Sequence, residues 1–347
     1  MRPVFRPTEP KEEAALSAFL ARIFQWDDGC IFMDPALMQW KYWRPRSDWD
    51  GSRSYVIERD ATILAHGAAW PLHLELEDGP VRGFFWIDWA ADPSIPGIGA
   101  ALMQRMARAG GLVWTWGGTP HALKMRAAMG FAPRHAVPLY ARPLRPFRQA
   151  LVRADQSWKA LPHFVRNFIW ALAPMRVEPG WTAVPADEKH LLVMERKDNL
   201  SALGVFHFRS SPEFLRYLSE CPVARLESFR VCYRGEDIGA LVLMYVPGQA
   251  RIVYALIDDE IERGWLNLYA LALRQAMQDP QSYEITTWCA VPVGQRALTQ
   301  LGFRERSCND LMVYDPEGKT PKEGRFHLQM LHGDGAFLHP GHLDFIT

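Results

Sequence analysis

Between Pro10 and Phe24 the apolar residues Ala15, Leu16, Phe19, Leu20 and Ile23 return at helical spacing, and Thr8 stands where an N-cap belongs, so a helix is predicted there after a short strand near Pro3–Arg6. Asp34-Pro35 gives a capping carboxylate followed by a first-turn proline, the opening of a second, short helix. The pattern then shortens to the period of strands in Ser54–Glu58 and Ile63–Leu72, and the polar Arg59-Asp60-Ala61 between them predicts a hairpin. A third strand follows over Val81–Ala91. Beyond the turn Pro96-Gly97-Ile98-Gly99 the spacing predicts a helix to about Ala109, and Leu112–Trp116 is short, β-branched and aromatic enough to be a strand. A helix near Pro120–Met129 stops at Gly130, and a last strand covers His135–Ala141.

Much of this order occurs twice. Asp34-Pro35, Trp40 and Pro45 have counterparts in Ser211-Pro212, Tyr217 and Pro222, at an offset of 177 (212 − 35). Trp116 precedes Gly130-Phe131 by the same interval that separates Trp288 from Gly302-Phe303, an offset of 172 (302 − 130). A second hairpin is predicted from Ser228–Tyr233 and Ile238–Val246 around Arg234-Gly235-Glu236-Asp237. The expectation is therefore an α/β protein of two similar domains, residues 1–143 and 181–316, joined by a linker over 144–180 and followed by a tail over 317–347.

Composition narrows the functional classes. The 347 residues carry 39 Lys+Arg against 39 Asp+Glu, so the broad positive field of a nucleic-acid binder is missing and no nucleic-acid partner is expected. No apolar run is long enough to cross a bilayer and the first residues do not resemble a secretory signal, which gives a cytoplasmic expectation. Five scattered cysteines without a Cys-x-x-Cys pair argue against a disulfide framework or zinc ribbon. Locally the balance breaks: Arg142, Arg145, Arg148, Arg153, Lys159, Arg166 and Arg176 face one acid, Asp155, in a stretch that also holds Phe164, Phe168, Ile169 and Trp170. Such a segment reads either as a connecting helix docked between domains or, over 144–176, as a peripheral contact with an anionic membrane.

The stretch with the most chemistry in it runs from Trp86 to Met103. A strand feeds a turn with two glycines that opens a helix, leaving the first helical N–H groups to converge on one spot where the helix dipole favours an anion. The same glycines would also let the helix pack closely on the sheet.

On these residues the sequence resembles the GNAT superfamily of acyl-CoA-dependent N-acetyltransferases. The family's pyrophosphate loop matches Ser94-Ile95-Pro96-Gly97-Ile98-Gly99, its strand aspartate before a proline matches Asp88 and Pro93, and its Gly-Phe matches Gly130-Phe131 and Gly302-Phe303. The resemblance implies two GNAT-like domains, each a mixed, mainly antiparallel twisted sheet flanked by helices. It implies acetyl-CoA or another acyl-CoA as co-substrate, held at Ala90, Ala91, Pro96, Gly97, Ile98, Gly99 and Ala100, and transfer of the acyl group to a small-molecule amine. It departs from the family at Ser94, where Arg or Gln is usual, and at Arg126 and Leu298, where a tyrosine often serves as general acid. In the second copy the loop reads Asp258-Asp259-Glu260-Ile261-Glu262-Arg263-Gly264, whose carboxylates repel phosphate, so that copy is expected to have lost CoA binding.

For the proton acceptor the strands offer Asp88, with His121, His66 and His73 as further candidates. Trp86, Trp89 and Trp116 lie beside the expected cleft and are candidates for an aromatic acceptor pocket. The tail's His327, His332, His339 and His342, with Asp334 and Asp344, read as a solvated polar segment, and no metal is expected. The reading that follows is an N-acyltransferase working in its first domain. A GNAT-derived binding or scaffold protein with decayed catalytic parts is the alternative.

Overall fold

Both hairpins turn on residues with left-handed backbone. Asp60 and Ala61 have φ of 52° and 60°, and Arg234 and Gly235 have φ of 51° and 89°, the conformation a tight two-residue turn needs to match strand twist. The computed structural model describes residues 2–26, 30–76, 79–152, 160–187, 205–257, 262–339 and 345–347. The carboxylates Asp258 and Asp259, the linker residues Arg153 and Lys159, and His342 and Asp344 lie outside them.

The first repeat contains β1 (Val4–Pro7), α1 (Glu13–Phe24), α2 (Pro35–Met38), β2 (Ser54–Arg59), β3 (Thr62–Leu74), β4 (Val81–Ala91), α3 (Ile98–Gly110), β5 (Leu112–Trp116), α4 (Pro120–Ala128) and β6 (Ala132–Pro143). A helical pair follows, α5 (Pro146–Val152) and α6 (Ala160–Ala171), and then the short strands β7 (Trp181–Pro185), β8 (Val205–Phe206) and β9 (Phe208–Arg209). The second repeat has α7 (Pro212–Ser219), β10 (Arg225–Tyr233), β11 (Glu236–Val246), β12 (Gln249–Ile257), α8 (Glu262–Gln278), β13 (Glu284–Trp288), α9 (Pro292–Gln300) and β14 (Arg304–Tyr314), with β15 (Arg325–Phe326) beyond it. The cap predicted at Asp34 is present, and its repeat counterpart Ser211 caps in the same way. The Asp34 carboxylate accepts from Leu37 N at 2.9 Å and the Ser211 hydroxyl from Phe214 N at 3.0 Å. Thr8 is not the cap of the first helix: a single turn over Pro10–Glu12, entered from Glu9, precedes α1, and the buried Thr8 hydroxyl instead accepts from Trp43 Nε1 at 3.0 Å.

The two repeats share one sheet, ordered β1-β2-β3-β4-β5-β14-β6-β13-β12-β11-β10-β7. Each repeat lends its last strand to the other: β14 pairs antiparallel with β5, and β6 pairs antiparallel with β13. At the centre Val137 of β6 lies opposite Asn309 of β14, and these two are themselves repeat-related at the offset of 172 (309 − 137). Two more pairs of equivalents touch. Trp40 and Tyr217 stack at 4.6 Å, Trp40 Nε1 donates to Tyr217 O at 2.9 Å, and Tyr217 OH donates to Trp40 O at 2.6 Å. Trp116 and Trp288 lie 4.4 Å apart. A residue that meets its own counterpart sits on a two-fold axis, so the halves are related by a pseudo-dyad through these three pairs, as in an isologous dimer.

One face of the sheet carries the larger core, with Trp70, Trp114, Phe214, Tyr217 and Phe337, and α3 covers part of the opposite face through Leu102, Met103 and Met106. The segment after β15 crosses the larger core. Trp70 Nε1 donates to Leu331 O at 3.2 Å, and Phe337 stands edge-on to Trp40. His327, His332 and His339 are buried in this crossing rather than solvated. Burial holds the imidazoles of His327 and His332 far below the usual histidine range, so both stay neutral. No helix among the described residues is long and apolar enough to cross a membrane.

Candidate functional site

Strand β4 pairs with β5 in parallel only over Gly83–Phe85 and Leu112–Trp114. Beyond that the strands part, and Trp86–Ala91 has no strand partner on that side among the described residues. The second repeat parts in the same way: β12 meets β13 over Gln249–Ile252 and Glu284–Thr287, then leaves it. Two wedges result, one per repeat.

The first wedge ends at the start of α3. Gly97 caps that helix with φ of 79°, and no side chain supplies a capping bond. The Ile98 N–H is taken by Ile95 O at 3.3 Å and Ala101 N bonds Gly97 O at 2.9 Å, which leaves the N–H groups of Gly99 and Ala100 at the helix mouth. Pro96 and Gly97 are exposed, Ile98 and Gly99 buried, and Ala100 half-buried. A Cβ on Gly97 would meet nothing, whereas one on Gly99 would lie 2.7 Å from Trp89 and 2.9 Å from Ala91. Gly97 therefore serves backbone conformation, and Gly99 serves the close seat of α3 on β4. Ser94 folds back instead of reaching outward: its amide and hydroxyl both donate to Asp92 Oδ1, at 3.0 and 2.6 Å.

Trp86 is buried on the α3 side, and Trp89 is half-buried there with its Nε1 donating to Gly99 O at 3.3 Å. Trp116 faces the other way, half-buried on Trp288, with Nε1 donating to Val137 O at 3.0 Å. The three tryptophans thus do not share a pocket. Ala90 is buried and Ala91 half-buried on the unpaired stretch, and His121 sits at the beginning of α4. Arg126, where the family tyrosine would fall, is buried and donates to Gly117 O at 2.5 Å.

Asp88 sits at a bulge between the pairs His66–Ala90 and Ala68–Ile87, with φ of 51°. A bulge re-aims a side chain, and here it turns the carboxylate to the α2 side of the sheet. There Lys41 Nζ lies 2.8 Å from Asp88 Oδ2, Tyr42 OH donates to the same oxygen at 2.8 Å, and His66 Nδ1 is 2.9 Å from Asp88 O. His66 Nε2 is 2.9 Å from Ser54 Oγ. Lys41 and Tyr42 reach inward because Gln39–Trp43 forms a π-turn, closed by Arg44 N on Gln39 O at 2.8 Å, which buries four successive side chains. Burial alone would raise the Asp88 carboxyl, but the Lys41 ammonium, together with His66 and the Tyr42 hydrogen bond, outweighs it and holds Asp88 below its ordinary range. Burial also pushes the Tyr42 hydroxyl well up and brings His66 down to about 4.

Asp334 approaches this cluster from the crossing segment. It follows Gly333, which rests on the Phe85 ring of β4, and precedes Gly335, which rests on Trp288. It retains some accessible surface while protein surrounds its carboxyl, and burial, then the charge of Asp88, push that carboxyl up to about 7. Lys41, Tyr42 and Asp334 carried no signal in the sequence: a lysine between tryptophan and tyrosine reads as a snorkelling helix residue, and an aspartate in a polar tail reads as solvated. Among the described residues no group of three or more His, Cys, Asp or Glu side chains gathers to hold a metal.

The second wedge is filled by the same crossing segment. Gln329 is buried and its Oε1 accepts from Ala255 N at 2.6 Å, on the part of β12 that β13 no longer reaches. Arg251 is buried and donates to Gly335 O at 2.9 Å and Leu338 O at 2.6 Å. Glu284 accepts from Ile346 N at 2.9 Å and from Thr347 N and Oγ1 at 3.0 and 2.6 Å. Among the described residues nothing from this segment bonds the backbone of Trp86–Ala91.

The architecture superposes on solved structures over most of the chain. The chain has a tandem GNAT fold. It superposes on a tandem GNAT protein from the clavulanic acid biosynthesis pathway with a TM-score of 0.58 at 14% identity, covering 92% of this chain and 100% of that one. A GCN5-related N-acetyltransferase from Anabaena variabilis matches at 0.60 and 11%, covering 90% and 73%. N-myristoyltransferase from Saccharomyces cerevisiae, solved with bound myristoyl-CoA, matches at 0.63 and 10%, covering 90% and 78%. No family model matches the chain, and no curated protein matches it in sequence. At these identities the likeness speaks for the GNAT fold and its duplication.

Proposed function

We propose that this chain is an acyl-CoA-dependent N-acyltransferase that works in its first repeat, with acetyl-CoA as the leading donor and a small-molecule amine as acceptor. The observation that carries the reading is the difference between the wedges. Among the described residues one keeps free amides at a helix mouth and an unclaimed strand edge, and the other is closed by the chain's own Gln329. The N–H groups of Gly99 and Ala100, beside Pro96, Gly97 and Ile98, suit the pyrophosphate, because unpaired helix-start amides and the dipole both favour an anion. The strand edge at Ala90 and Ala91 suits the amides of pantetheine. Trp86 and Trp89 then fix the seat of α3, and Trp116 is the tryptophan left to face the acceptor.

In the reaction a neutral amine attacks the thioester carbonyl, the C–N bond forms, the C–S bond breaks with its electron pair leaving on the CoA thiolate, and the nitrogen loses one proton. We assign that proton to Asp334 rather than to Asp88 or His121. Lys41 and Tyr42 already hold the Asp88 carboxylate, whereas Asp334 titrates where a base is useful, at about 7. Asp88 and Lys41 act on it from a distance through charge.

Isothermal titration of the whole chain with CoA tests binding, with one site per chain expected. A bulky residue at Gly97 is expected to weaken it, since the φ there resists a side chain. No heat at millimolar CoA, or two equal sites, defeats the reading. CoA bound without acyl transfer to any amine of a broad panel favours the decayed binding protein.

A further inference from the structure

The α5–α6 hairpin is built inside out. Its buried side is polar: Asn167 and Gln149 are each 2% exposed, Asn167 Nδ2 donates to Gln149 Oε1 at 3.0 Å, and Gln149 Nε2 donates to Thr347 Oγ1 at 2.7 Å. Its outer side is apolar. Of the nine large hydrophobic side chains exposed among the described residues, seven belong to α5, α6 and the residue that follows, among them Phe147, Leu161, Phe168, Ile169 and Leu172, at 48–67% exposure. A helix that met only water would be turned the other way, with its apolar stripe inward.

The hairpin is firmly attached, so this orientation is not that of a loose end. Arg142 donates to Ala173 O at 2.8 Å and also to Ala171 O and Leu301 O, while Arg145 donates to Met277 O at 2.6 Å. A Cβ on Gly302 would collide with Ala173, which shows how closely the exit of α6 rests on the second repeat. The charge around the apolar face is one-sided. Within a chain whose charges cancel, Arg148 and Arg176 are exposed and Arg166 half-buried here, and the described residues between 142 and 176 include no Asp or Glu. Trp170 marks the edge of the face, with the Arg166 and Arg306 guanidinium groups 4.8 and 5.6 Å from its ring.

We propose that the α5–α6 hairpin seats the protein on an anionic lipid surface, burying Phe147, Leu161, Phe168, Ile169 and Leu172 among the acyl chains and placing Arg148 and Arg176 at the headgroups. Protruding apolar side chains with a basic rim and an aromatic residue at the boundary are the chemistry of an interfacial helix. A second copy of this chain is the poorer occupant, because two faces of the same positive sign would meet. The inference is independent of the acyltransferase reading, since it uses none of the wedge residues.

Co-sedimentation of the whole chain with phosphatidylcholine vesicles, with and without phosphatidylserine, tests it. Binding is expected to rise with phosphatidylserine and to fall with added salt. Leu161→Ser with Ile169→Ser is expected to lower the partition coefficient about tenfold or more, since each removes apolar area from the buried face. Arg148→Glu with Arg176→Glu is expected to abolish the phosphatidylserine dependence. Unchanged melting temperatures would show that the variants fold. Vesicles ignored at every lipid concentration, or bound equally with and without phosphatidylserine in any salt, would overturn the proposal. So would a dimer, or a complex with an acidic protein, that the serine substitutions dissociate.

Discussion

The two repeats start from the same plan and differ in what fills their wedges. In the first, β4 leaves β5 after Phe85, and the strand edge from Trp86 to Ala91 runs on to a helix mouth without a side-chain cap. In the second, the equivalent space beside β12 is taken by Gln329, held through Ala255 N, and the segment that carries it is fixed to Arg251 and Glu284. The lesson is about how a duplicated fold loses symmetry. A splayed pair of strands exposes backbone amides that need partners, and either a ligand or a piece of the chain can supply them. The segment that closes one wedge also carries Asp334 toward the Lys41–Asp88 cluster of the first repeat, so one crossing acts differently on the two halves.

If Asp334 is the proton acceptor of the open wedge, Asp334→Asn breaks the contrast most severely. Steady-state kinetics are expected to show kcat lowered by roughly 10²–10⁴-fold with little change in the KM for acyl-CoA. A base must be deprotonated to act, so the wild-type kcat/KM is expected to fall as pH drops below the Asp334 value of about 7 and to level off above it. A profile flat from pH 6 to 8, measured within roughly one unit of that value, excludes Asp334. Lys41→Met comes next. It strands the Asp88 carboxylate in the core, and denaturant unfolding is expected to show a loss of about 3–5 kcal/mol, partly restored by Asp88→Asn in the same chain.

The buried histidines give a pH dependence of similar size. His66 and His135 titrate near 4 and His332 near 3 in the folded chain, all lowered by burial, and His327 is lowered too, against an ordinary value of about 6.5. The unfolded chain therefore binds more protons as pH falls below about 6.5. Asp334 and Glu284, raised by burial, act in the opposite sense and offset part of this. Stability is expected to be full near neutrality and to drop by roughly 3 kcal/mol per pH unit around pH 5.5, measured by urea unfolding across that range. Gln329→Ala has the smallest expected effect. It leaves the Ala255 amide unpaired at a cost of about 1–3 kcal/mol, and CoA titration should still give a single site. A second site opening in that variant would mean that Gln329 alone keeps the halves different.

Much of the secondary structure was legible. Leu112–Trp116 is a strand and Val81–Ala91 is a strand with the bounds the pattern predicts, and Asp34 caps the helix it was read to cap, whereas Thr8 does not. The repeat was legible because Trp40 and Tyr217, and Trp116 and Trp288, keep their intervals. Those same residues touch across the pseudo-dyad, which gives a packing reason for the aromatic match. The candidate site was legible only in its backbone half. Glycines before a helix announce free amides, but the charged half depends on a π-turn at Lys41, a bulge at Asp88 and a segment arriving from residue 334.

By itself the sequence determined which residues form strands and helices, where they turn, that the plan occurs twice, and that one turn opens a helix with bare amides. Periodicity and caps are local, so they write these features directly into neighbouring residues. Only the tertiary structure decided that β14 inserts beside β5, that Gln329 closes one wedge while Asp334 nears Asp88 and Lys41, and that the hairpin after β6 faces outward with its apolar side. A pattern of apolar positions states that a face must be covered. It does not name the partner, because strands of the same period and tails of mixed polarity can satisfy the same face, and the choice among them is made by long-range packing.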